Sequence, residues 1–220
     1  MTTNESFPKF DLPVDFIADD SITGDILNYY GNFPCKIKAG VFVLCTEGMV
    51  RATINLLEIV IRKNDFIVVL PNSFIQIHEV SSDTRISFAG FSSDFMLSGN
   101  YVEILLDFMP MILNSPVISL QEDVAGLYRN VYLLLIRAYT LPHSLENKEI
   151  IRSVLAIFLQ GTKELYKRYG KKLDEPLRRE QELYRQFIQL LMVHYTKEHE
   201  VAFYAEKCGV TAAHFSSAIR

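Results

Sequence analysis

The tight spacing of turn-forming residues between positions 22 and 91 constrains this chain more than any other feature. Segments 41–45, 50–61, 66–70, 74–80 and 85–91 are rich in β-branched and aromatic residues. Only short clusters interrupt them: Thr46-Glu47-Gly48, Lys63-Asn64-Asp65, Pro71-Asn72-Ser73 and Ser81-Ser82-Asp83. Neighbouring parallel strands need a crossover of roughly a dozen residues or more, and these gaps leave no room for one. The segments are therefore expected to pair antiparallel in a sandwich or barrel. In segment 74–80, Ile75 and Ile77 alternate with Gln76 and His78, so one face suits a core and the other a polar surface or a cavity.

Beyond Ser92 the apolar period becomes helical. Helices are expected over 99–109, ending near Pro110, over 121–139 and over 147–169, the last two forming an antiparallel hairpin through loop 140–146. Leu127, Val131, Leu134, Leu135 and Ala138 share one stripe, as do Ile150, Val154, Ile157, Phe158, Gly161 and Leu165. Leu133, Ile136, Ile151 and Leu155 lie off those stripes. Such surplus apolar surface is buried against the barrel or against a second copy of the chain, which makes these four the candidate dimer interface. Residues 170–176 have linker composition, and a further helix is expected over 178–195. The fold class is thus α+β: an N-terminal antiparallel barrel or sandwich (1–95), a helical connector and dimerisation hairpin (96–175) and an all-α C-terminal region (176–220).

With 49% hydrophobic and 22% charged residues, a packed core is expected rather than disorder. Cys35, Cys45 and Cys208 are odd in number and lack a C-x-x-C spacing, which predicts reduced thiols and a cytoplasmic setting. The polar, acidic N-terminus does not read as a secretory signal, and apolar runs such as 133–136 fall far short of the ~20 residues that cross a bilayer, so no membrane partner is expected. The net charge of −4 is not that of a protein devoted wholly to nucleic acid. Charge is uneven, however: residues 163–185 hold eight Lys and Arg against five acids, just ahead of the C-terminal region. Patterning of this kind is also that of a solvated helix face.

Residues 201–220, VAFYAEKCGVTAAHFSSAIR, match a helix-turn-helix unit position by position. Two short helices crossing over a tight turn need a small residue at the contact and a turn residue tolerant of positive φ. Ala205 and Gly209 meet those needs, while Tyr204, Cys208, Val210, Phe215 and Ala218 fall where apolar residues plug the wedge. Thr211 is placed to cap the second helix. Ala212, Ala213, Ser216, Ser217 and Arg220 are left facing outward with His214 beside them. An Ala-x-x-x-Gly pair alone also fits a plain helical hairpin ending in a glycine cap; the match over the whole window favours the DNA-binding unit.

At these residues the chain resembles the AraC/XylS family of transcription regulators. The stretches 187–191, 194–196 and 201–207 are similar to the start of that family's DNA-binding domain, and 40–45, 46–48, 54–56 and 70–72 to its cupin-like N-terminal domain. The resemblance implies a regulator in which the barrel senses a small molecule, a helical hairpin makes a homodimer, and the first recognition helix enters the major groove of double-stranded DNA. Thr211, Ala212, Ala213, His214, Ser216, Ser217 and Arg220 would carry that contact. Two departures stand out. The sequence stops at the end of the first recognition helix, as in a truncated domain, and the outer face carries small residues where the family often has Lys or Arg. Base readout would then lean on small contacts, such as Ala or a hydroxyl against a thymine methyl.

Metal-binding cupin-like barrels use two nearby histidines, a carboxylate and a later histidine. Segment 50–61 has no histidine, and His78 stands alone in the barrel, so neither metal nor other cofactor is expected. H-E-x-x-H, G-x-S-x-G and phosphate-loop patterns are missing, so no catalytic activity is expected. If Phe42, Leu44, Gln76 and His78 face inward, they would form an apolar effector pocket with two polar groups. A barrel simply filled with side chains is the other reading, because a one-residue register error reverses every assignment. The competing function is a cupin-like binding domain, or a non-metal enzyme, whose C-terminal helices are only structural.

Overall fold

The computed structural model describes residues 9–30, 34–97, 101–140, 148–170, 179–194 and 197–219. The first part is a pair of facing sheets. Strands β1 (Lys9–Phe10), β3 (Cys35–Ile37), β8 (Ser73–Val80), β5 (Met49–Ile54) and β6 (Leu57–Arg62) form one in that spatial order. The other has the order β10 (Val117–Ser119), β7 (Asp65–Val69), β4 (Gly40–Glu47), β9 (Arg85–Phe91) and β2 (Phe16–Thr23). All pairs are antiparallel except the short β1–β3 contact. A short helix, α1 (Gly24–Tyr30), joins β2 toward the first sheet and packs on β8.

Two features of the strands depart from expectation. Segment 50–61 is a hairpin rather than one strand, because Asn55 and Leu56 both take left-handed φ values of 48° and 71°, as in a type I′ turn. Asn55 fixes this turn to the next strand: its backbone N–H donates to the Phe74 carbonyl, its side-chain amide donates to Ser73 Oγ at 3.0 Å, and its side-chain oxygen accepts from the Phe74 N–H at 2.9 Å. The second departure is a bulge in β8. Arg51 pairs with Glu79 but Ala52 pairs with Ile77, leaving His78 as the extra residue. A bulge re-aims the side chain it carries. His78 and Glu79 thus both stand on the outer, solvent face, His78 Nε2 lying 2.7 Å from Thr53 Oγ1 and Glu79 pairing with Arg51.

The helices α2 (Ser93–Leu97), α3 (Tyr101–Asn114), α4 (Glu122–Thr140) and α5 (Lys148–Tyr169) cover the second sheet. α4 lies over β2, β9 and β4, while α5 packs on α3 and β10. α3 runs through Pro110 instead of ending there: Phe108, Met109 and Ile112 are buried in the core, and that packing outweighs the backbone hydrogen bond a proline cannot donate. One aromatic-rich cluster holds sheet and helices together. Phe158 of α5 meets Phe42 edge-on at 4.9 Å and Tyr132 of α4 at 5.7 Å, and Phe66 meets Tyr128 at 5.3 Å.

Burial corrects the helical stripes. The core-facing line of α4 is Ala125, Tyr128, Tyr132 and Leu135, whereas Leu127 and Leu134 are 61% and 57% exposed. On α5, Ile157 is 73% exposed and Leu155 is wholly buried. Of the four interface candidates, Leu155 belongs to the chain's own core, Ile136 and Ile151 pack partly against it, and only Leu133 is exposed. The sequence period could not tell which of two apolar faces meets the sheet. Loop 141–147 lies outside the described residues.

A third, separate cluster joins α6 (Arg179–His194) to α7 (Val201–Lys207) and α8 (Ala212–Ala218), and α6 also touches α3. No helix among the described residues is long and apolar enough to cross a membrane.

Candidate ligand cavity and nucleic-acid interface

Between the two sheets lies a cavity of about 370 Å³. Alternation along each strand decides its wall. From β4 come Val41 and Val43, from β7 Ile67 and Val69, from β8 Ile75 and Ile77, and from β5 Val50, Ala52 and Ile54. The intervening residues point the other way. Phe42 and Leu44 are buried against the helices, and Gln76 and His78 stand on the opposite surface of the first sheet. The expected inward set is therefore inverted: Phe42, Leu44, Gln76 and His78 do not line the cavity. For β4 the cause is burial on both faces, which removes the alternation that would have set its phase. On β8 the Ile75/Ile77 alternation marks the cavity face, and the polar residues that follow them stand on the outer one.

Among the described residues twenty line the cavity, and every one is hydrophobic or glycine. Phe10 and Ile26 are the exposed members and mark where the wall meets solvent. Cys45 is buried nearby in β4, its thiol donating to the Glu47 carbonyl at 3.3 Å, and burial pushes its pKa up to about 11. It is a packed thiol rather than a reactive thiolate. Among the described residues no group of three His, Cys, Asp or Glu could hold a metal ion.

The second candidate site is the corner made by α7 and α8. Gly209 has φ +68°, and its N–H and that of Val210 donate to the Glu206 and Ala205 carbonyls, turning the chain sharply after α7. Thr211 caps α8, its Oγ1 accepting from the His214 N–H at 3.2 Å. Tyr204, Ala205 and Phe215 are buried at the contact, and Phe187 of α6 meets both Tyr204 and Phe215 edge-on at 5.5 and 5.1 Å. Tyr204 also donates its hydroxyl to the Glu198 carbonyl at 2.7 Å, tying the preceding loop to α7.

This packing leaves Thr211, Ala212, Ala213, His214, Ser216 and Ser217 exposed, with Phe215 and Ala218 turned inward. Arg220 lies outside the described residues.

No protein-family model and no curated protein matches the chain. Among solved structures it is similar to the AraC-like transcriptional activator CuxR, at 8% identity and a TM-score of 0.45 over 83% of this chain, and it spans 60% of the length of that one. It is also similar to ToxT from Vibrio cholerae, at 11% identity and a TM-score of 0.39 over 94% of each chain. A further match is ToxT with an unsaturated fatty acid bound, at 10% identity and a TM-score of 0.37 over 96% of this chain and 92% of that one.

Proposed function

We propose that the chain is a cytoplasmic, ligand-responsive transcription regulator of AraC type, in which a cupin-like barrel (1–95) governs a helix-turn-helix DNA-binding region (176–220) through a helical connector (96–175). The observation that carries this reading is the α7–α8 corner: a capped helix held at its base by Phe187 and Tyr204, with Ala212, Ala213, Ser216 and Ser217 turned to solvent. A helix so presented fits the major groove, where small side chains and hydroxyls meet thymine methyls and base edges. Thr211 and His214 flank that surface and would position it on phosphates, and Arg220, further along the sequence, would add a positive charge to that contact.

The architecture also supplies a route from ligand to helices. Strands β4 and β7 form a single layer whose one face lines the cavity through Val41, Val43, Ile67 and Val69. Their other face carries Phe42, Leu44, Phe66 and Val68 into the core shared with α4 and α5. A ligand that favours one spacing of the sheets shifts the seating of these helices, provided it binds the two arrangements unequally. On α4, Leu127 and Leu134, at i and i+7, form an exposed stripe, while Val131 between them is half-buried and packs in part against the core. A second copy of the chain covers that stripe in this reading, with Leu133 beside it. Among the described residues no acid, base or nucleophile lines the cavity, which supports binding over catalysis there.

The test is selection of duplex DNA from a randomised library by the chain. Enrichment of a defined sequence, with affinity that falls steeply as salt rises, is the expected result. Ala213→Glu, which places a negative charge on the exposed face without touching the packed one, should abolish it. Unenriched libraries, or binding indifferent to that substitution, would overturn the reading. Sedimentation of native and Leu134→Asp chains tests the dimer, a monomer in the native case being the outcome that removes it.

A further inference from the structure

Resting on the reading of the barrel as the sensing pocket, we infer that its ligand is a hydrocarbon-rich molecule that enters tail first and leaves any polar group at the mouth beside Phe10 and Ile26. Interiors are ordinarily close-packed with few voids larger than a water molecule, so an open space of about 370 Å³ is a feature of the fold and not a packing defect. Its walls settle what can occupy it. All twenty lining residues are hydrophobic or glycine, and most are β-branched Val or Ile, whose stiff side chains hold the shape of a wall without folding inward to fill it.

A sugar, an amino acid or a nucleotide brings hydroxyl, ammonium or phosphate groups that lose water on entry and would find no partner in this wall. Among the described residues no Lys or Arg lines the cavity to receive an anion. A methylene chain loses nothing and leaves water. At roughly 30 Å³ for each water-sized or methylene-sized group, the space holds on the order of a dozen. The nearby polar groups are already engaged elsewhere: His78 with Thr53 and Arg51 with Glu58 and Glu79, all on the outer surface of the first sheet.

The experiment follows displacement of the neutral dye N-phenyl-1-naphthylamine from the purified chain by the 1-alkanols from hexanol to tetradecanol. Affinity should rise about fourfold per added methylene and level off once the cavity is full. Dodecanol should bind at least as tightly as dodecanoate, and glucose should not compete. Val43→Phe, which fills part of the space, should bring the plateau at least two carbons earlier, with Ala52→Leu as the milder substitute if that variant does not fold. Thr53→Val, on the outer face, should change nothing. The inference fails if the dye is not taken up, if affinity is flat with chain length, if dodecanoate exceeds dodecanol more than tenfold, or if neither filling variant moves the plateau. Because no DNA enters this assay, alkanol binding without duplex selectivity would sink only the regulator reading, and the reverse pattern only the ligand class.

Discussion

The two faces of the second sheet are built from the same strands and do opposite work. Toward the helices it presents Phe16, Phe42, Phe66 and Phe91: Phe42 meets Phe158 edge-on, Phe66 meets Tyr128 and Phe158, Phe16 meets Tyr139 edge-on, and Phe91 stacks on Phe95. Toward the first sheet it presents Val41, Val43, Ile67, Val69 and Ile86, which enclose open space. Large planar rings with preferred pairing geometries lock one layer onto another. Branched aliphatic side chains keep a surface rigid while leaving the volume before it unfilled. One sheet therefore serves as a clamp on one side and as a cavity wall on the other.

The most direct way to break this contrast is Phe158→Ala. The ring is buried and contacts aromatic residues from β4, β7 and α4, so its removal should cost about 3–5 kcal/mol, measured by denaturant unfolding. A loss under about 1 kcal/mol would mean that the helical layer is held by something other than this cluster.

A matched pair of substitutions sharpens it further. Val43 and Val68 lie on neighbouring, hydrogen-bonded strands but face the cavity and the helices respectively. Exchanging Val68 for Thr buries a hydroxyl in the close-packed core and should destabilise by about 1–3 kcal/mol. Val43 is half-buried where Val68 is buried, so the hydroxyl of Val43→Thr keeps part of its water and should cost less than half as much. Equal losses would contradict the assignment of the two faces.

That assignment was the part of the fold least legible in the sequence. Strand positions in 41–91 followed from turn formers, yet the phase of β4 did not, because Val41-Phe42-Val43-Leu44-Cys45 is apolar at every position and the sheet is covered on both sides. Segment 50–61 hid its hairpin, since Leu56 adopts a conformation that residue types such as Gly or Asn usually mark. β2 carries little strand signal for the opposite reason: Asp19, Asp20 and Ser21 interrupt its apolar pattern at a bulge. Recognising β10 required knowing its partner β7, which lies far away in sequence. The α7–α8 corner was legible almost residue by residue, because its contacts are local: Ala205, Gly209, Thr211 and Phe215 act within one short window. Short-range chemistry can be read from a window of sequence, whereas the facing of a doubly covered strand depends on neighbours that no window contains.

The smallest expected effect asks whether charge at the rim shares the clamp's work. Glu122 opens α4 and reaches the β6–β7 turn: it accepts from Arg129 at 2.8 Å and Asn64 at 2.7 Å, with Lys63 Nζ at 3.8 Å. The Arg129 and Asn64 hydrogen bonds, helped by Lys63, hold its carboxyl down to about 2 from an ordinary 4.5. A carboxyl lowered on folding stabilises the native state fully above its unfolded value and loses that contribution as pH falls through the folded one. The melting temperature of Glu122→Gln should thus lie slightly below that of the native chain above pH 5, and the two should converge as pH approaches 2. The gap should be far smaller than that of Phe158→Ala, because ion pairs this exposed are screened by water and salt. A gap rivalling the aromatic variant would mean that the helices are fastened at their charged rim and not through the clamp face of the sheet.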